Sequence, residues 1–178
     1  PAVWTDSKTN QTWLYVTIWG AVSKNAPTFP LTNGEVPHGS IMAFNVVDDK
    51  KTHQPTLRPA WISPDFSFPD PPIITNGVLF ALSTGENPQQ VHNQALLHFN
   101  STEEWKNNLL TTEQRGQGTH PAVLYALDAR TGKLLYESGN TMKTWVHFSG
   151  LAVSDGRVYA VDHDSHVYCF GLKNEIQN

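Results

Sequence analysis

The sequence predicts an all-β protein built from recurring four-stranded antiparallel units. Three observations carry that expectation: few charges among many turn-forming residues, short apolar runs ending in Asn-Gly or Asp-Gly, and an internal repeat. Charged residues make up 16% of the 178-residue chain, against about 25% in typical globular proteins. Twelve Gly, twelve Pro and six Trp suit a turn-rich sheet protein better than a helical one. The net charge of -4 and the sequence pI near 6.0 come without a run of Lys or Arg, so no footprint for nucleic acid is expected. No apolar stretch reaches the ~20 residues of a membrane-spanning helix.

The repeat is read by setting "TNGVLFALSTG" (75–85) above "SDGRVYAVDHD" (154–164). Gly77, Leu79, Phe80, Ala81 and Leu82 then fall on Gly156, Val158, Tyr159, Ala160 and Val161, at a constant offset of 79. Each copy is a strand, a tight Asn-Gly or Asp-Gly turn, and a second strand. A third strand follows in "AVLYALD" (122–128) and "HVYCFGL" (166–172), and "GSIMAFNV" (39–46) resembles both. "RPAWIS" (58–63) and "KLLYES" (133–138) supply a fourth strand ending in an aromatic.

The first unit is therefore expected over 1–64, the second over 66–139, and the third over 144–172, where three strands are followed by a tail at 173–178. The second unit contains an insertion, 86–120. Removing its 35 residues from the offset leaves 44, within the ~40 to 45 of a four-stranded propeller blade. Units with apolar residues on both faces need a neighbour on each side, and stacking them about an axis provides both. The expected architecture is an incomplete β-propeller: two blades plus three strands of a third. Within the insertion, Ser101 stands three residues before Glu104, followed by Trp105, Leu109 and Leu110. This capping-box spacing predicts a short helix packed on the blade edge, as a lid over apolar surface or as a loop for a protein partner.

"ALDARTGKLLY" (126–136) resembles the docking motif of pyrroloquinoline-quinone (PQQ) repeats, Ala-x-Asp-x-x-x-Gly-x-x-x-Trp. Ala126, Asp128 and Gly132 match it, and Tyr136 stands in place of the tryptophan. Ala126 would leave room for a ring from the adjoining blade, Asp128 would accept bonds from its turn, Gly132 would take positive φ, and Tyr136 would project sideways. "AFNVV…RPAW" is a looser copy, with Ala43 and Trp61 in the matching roles and Asn45 in place of the acid. The third unit carries Cys169 and Gly171 at the Ala and Asp positions.

The resemblance extends to the last blades of bacterial PQQ-repeat proteins and implies a periplasmic or extracellular location. It also implies that the chain is the C-terminal part of a longer propeller, whose exposed blade faces are covered by the missing blades or by self-association. PQQ enzymes of this kind need an aromatic platform, a calcium or lanthanide ion held by carboxylate and amide oxygens, and an aspartate base. Many also place a disulfide of adjacent cysteines over the quinone. With Cys169 alone that disulfide cannot form, and no carboxylate set maps onto the metal ligands, so PQQ with calcium would require ligands from the missing blades.

Cys169, in "VYCFG", is expected to be a small buried residue. "DHDSH" (162–166) reads as a tight turn rather than a metal site, since side chains in such a turn diverge. Trp145 and His147, in "WVHFSG", are the candidates for a channel-facing contact, because residues two apart share one face of an extended strand. The expected function is a non-catalytic scaffold or binding surface. The alternatives are part of a PQQ-dependent oxidoreductase of alcohols or sugars, and a carbohydrate-binding or sensor propeller.

Overall fold

The computed structural model describes residues 1–93 and 100–172. Its strands form three sheets. Sheet one contains β1 (Ala2–Thr5), β2 (Thr12–Trp19), β3 (Leu31–Thr32), β4 (Gly39–Asp48) and β5 (Pro55–Ile62), ordered β1-β2-β4-β5-β3. Sheet two is β6 (Ile73–Thr75), β7 (Val78–Ser83), β8 (Val123–Asp128) and β9 (Leu134–Glu137), and sheet three is β10 (Ala152–Ser154), β11 (Arg157–Val161) and β12 (Val167–Gly171). Apart from β3, which runs parallel to β5, neighbouring strands are antiparallel. The all-β expectation holds. The tail at 173–178 lies outside the described residues.

Both expected hairpins are present. Asn76 and Gly77 have φ of 51° and 78°, and Asp155 and Gly156 have 50° and 70°. Two central residues at positive φ make the type I′ turn, whose twist suits antiparallel strands. The strands then alternate sides. Leu79, Ala81 and Leu127 pack with Tyr15, Ala43 and Trp61 of sheet one, whereas Leu82 and Leu124 pack with Val158 and Ala160 of sheet three. Sheet two is thus sandwiched, and both of its faces are apolar because both are covered. The first strands are neighbours as well, with β1 and β10 each lying against β6.

Sheet one differs from the four strands expected. The loop 20–38 between β2 and β4 carries Val22, Ala26, Phe29 and Val36, which pack on Met42, Phe44 and Ile62 at the far face of the sheet. Laying the loop there brings Leu31 and Thr32 beside Trp61 and Ile62, which adds the fifth strand.

The described residues of the insertion include two short helices, α1 (Thr102–Asn108) and α2 (Thr112–Gly116). Ser101 Oγ accepts from the Glu104 N–H at 3.1 Å, as its spacing predicts, and Thr111 with Gln114 closes a full capping box on α2. Trp105, expected to pack against the blade edge, is 44% exposed and belongs to none of the core clusters among the described residues.

Candidate functional site

The motif at 126–136 builds a clasp between sheets one and two. Asp128 Oδ1 accepts from the N–H groups of Arg130 (3.0 Å) and Thr131 (2.9 Å) and from the Thr131 hydroxyl (2.9 Å), which fixes the turn, while Gly132 sits at φ 70°. The Ala129 carbonyl then accepts the Tyr15 hydroxyl at 2.9 Å and the Trp61 indole N–H at 3.1 Å. Trp61 is fully buried, and a Cβ on Gly132 would fall 2.8 Å from its Cδ2 and nearer still to Cε3. Asn33 Nδ2 donates to the Thr131 carbonyl at 3.0 Å, and Arg130 reaches back to Asp6 through Nε (2.6 Å) and Nη2 (2.9 Å). This fork-to-fork pair is the strong geometry for arginine and carboxylate. Hydrogen bonding to Arg130 holds the Asp6 carboxyl far below the usual carboxylate range, against the upward push of burial.

Two sequence expectations are corrected here. The ring beside Ala126 is Tyr136 of its own sheet, and Ala43 likewise faces Trp61 across its own strand pair. Directly opposed residues share a sheet face, so the alanine makes room for its own sheet's ring, and the adjoining sheet contributes the glycine. Tyr136 lacks such a glycine and is 48% exposed; counted from Cys169, the matching position is 175, outside the described residues. The acid of the first unit is Asp49, not Asn45. Because β4 runs ten residues against six in β8, its turn lies farther from Ala43. There Asp49 Oδ1 accepts from the N–H groups of Lys51 and Thr52 at 2.8 Å. The same turn recurs at "DSKTNQ", "DKKTHQ" and "DARTGK", with Asn10, His53 and Gly132 at positive φ.

A second cluster gathers where the insertion leaves β7. Glu86 is 5% exposed. Its Oε1 accepts from Arg115 Nη2 at 3.0 Å, and its Oε2 lies 2.9 Å from His147 Nδ1. Thr84 Oγ1 accepts the Glu86 N–H at 3.3 Å and donates to the Phe68 carbonyl at 2.7 Å. Gly85 is required beside it, since at φ 69° a Cβ would strike the His120 carbonyl. Asp70 is buried nearby with Oδ2 unpartnered; burial raises its pKa, the Glu86 charge adds to the rise, and His147 opposes it.

His147 does not begin the inner strand of the third unit, which starts at Ala152. The segment before it is bent by left-handed Phe148 and Gly150, at φ 49° and 65°, and held to sheet two by the Val146 N–H to the Thr84 carbonyl. The structure does bring Trp145 and His147 together, with ring centroids 5.7 Å apart, while Trp145 stacks on His163 at 4.3 Å. In the Asp162 turn, the Asp162 carboxylate accepts from its own turn and strand: the N–H groups of Asp164 and His166 and the Tyr168 hydroxyl at 2.7 Å. Cys169 is exposed, contrary to expectation. It shares the outer face of sheet three with Val167, which is 71% exposed.

Glu86, Arg115 and Asp70 escaped sequence reasoning. The Asp-x-Lys/Arg-Thr turn was readable in three places, but Glu86 meets its partners only through the fold. No family model, curated protein or solved structure matches the chain.

Proposed function

We propose that the chain is a segment of a PQQ-repeat-type β-propeller that serves as a non-catalytic scaffold and binding surface in an exported protein. The observation that carries the reading is the clasp: a buried tryptophan of one sheet lies on the turn glycine of the next, and its indole N–H is bonded to the same turn. A contact that positions one sheet on another at a fixed offset is what a repeat scaffold needs. The outer face of sheet three, with Val161, Val167 and Cys169 exposed, offers the place where a further sheet or protein partner adjoins.

The donor set does not fit a calcium-quinone centre. Glu86 is engaged by Arg115 and His147, and Asp162 by its own turn and Tyr168. Titration with PQQ and calcium, followed by quinone absorbance, tests the reading. Unchanged spectra are expected, whereas a bound quinone that is reduced on adding an alcohol or sugar would overturn it in favour of an oxidoreductase.

A further inference from the structure

A pocket of about 480 Å³ lies between the insertion and the first two sheets, within the ~300–1,000 Å³ of small-molecule sites. One wall is aromatic. Trp19 is 53% exposed, yet it is stacked on Phe68 at 3.9 Å with its indole N–H bonded to the Pro69 carbonyl at 3.0 Å. Phe68 holds φ 56°, a region that a bulky residue enters only where its surroundings impose it. A fixed, backed and solvent-facing indole is a stacking platform.

Polar side chains stand among the rest of the lining. Glu86 is among the lining residues, with its carboxylate paired to Arg115 and His147; a carboxylate oxygen so paired can still accept a further hydrogen bond from a hydroxyl. His38 engages Asp65 through Nδ1 at 2.7 Å, which leaves Nε2 for a ligand. His120 and Ser67 complete the rim.

This pairing selects a chemical class. An anion would meet Glu86, and a cation would compete with Arg115 for it. A purely apolar ring would stack on Trp19 but leave the polar groups unpaired, which is costly. A ring with one C–H face and hydroxyls around its edge satisfies the indole and the polar groups alike. We propose that this pocket binds a neutral pyranose sugar, stacked on Trp19 and hydrogen-bonded by Glu86, His120 and His38. The assignment is independent of whether the sheets belong to a propeller.

Tryptophan fluorescence and calorimetric titrations of the whole chain with glucose, galactose, mannose, cellobiose and lactose test it, alongside glucuronate and glucosamine. A saturable response to at least one neutral sugar is expected, with affinity falling at least about tenfold in Trp19→Ala. His120→Ala should weaken the same sugar, and both variants should keep the parent circular dichroism spectrum. The proposal is overturned by no response to any neutral sugar well above millimolar concentration, by tighter binding of glucuronate or glucosamine, or by unchanged affinity in a folded Trp19→Ala.

Discussion

Replacing Gly132 by alanine tests the clasp directly, because a matched control exists within the chain. Gly132 and Gly156 both sit at φ 70°, so an alanine at either position meets the same left-handed backbone penalty, about 1–2 kcal/mol. They differ in surroundings. At Gly156 a Cβ meets nothing within 4 Å, whereas at Gly132 it meets the Trp61 ring at 2.8 Å or less. Trp61 is fully buried, so it cannot swing aside without opening the interface, and overpacking of this kind adds about 1–3 kcal/mol. Gly132→Ala should therefore lower stability by about 2–5 kcal/mol, and Gly156→Ala by about 1–2 kcal/mol. Urea unfolding followed by tryptophan fluorescence measures both, with the slope checked for constancy. Combining Gly132→Ala with Trp61→Leu should recover part of the difference, because the colliding ring is gone. Equal losses in the two single variants would refute the clasp.

The Asp6 carboxyl is depressed by Arg130, so the stability it contributes is complete above the ordinary aspartate pKa of 3.8 and is lost as pH falls below that value. Acid unfolding of Asp6→Asn should accordingly be flatter below about pH 4 than that of the parent; identical curves would contradict it. Asp70 is shifted the other way, chiefly by burial, so its contribution is present below the unfolded pKa and lost as pH rises through the folded one. Asp70→Asn should raise the urea midpoint at pH 7 and leave it little changed at pH 3; a lower midpoint at pH 7 would show that the charge is needed. Native Cys169 should react with a thiol reagent at the rate of an exposed thiol, and the reaction should slow at high protein concentration if copies cover sheet three.

The parts of the fold legible in the sequence are those fixed by local rules. Asn76-Gly77 and Asp155-Gly156 announced their turns because few residue pairs tolerate two successive positive φ values. The faces of β7 and β8 followed from alternation. Ser101 was readable as a cap for the same local reason. What failed depended on distance or length. Strand β3 exists because a loop folds back over Met42 and Ile62, and nothing in two residues announces that. Motif spacing from Ala43 points to Asn45, while the longer β4 carries the acid on to Asp49. Glu86 meets partners 29 and 61 residues away, so no window of sequence contains the cluster. Residue type favours burial for Cys169, but its place in β12 puts it beside Val167 on a face that is exposed among the described residues.

The loop that blankets the far side of sheet one gives the molecule a polarity. One end of the stack is plugged, whereas among the described residues the other exposes Val161, Val167 and Cys169 on the outer face of sheet three. Two copies that met through that one face would share the same patch about a twofold axis, and such a contact closes on itself at two.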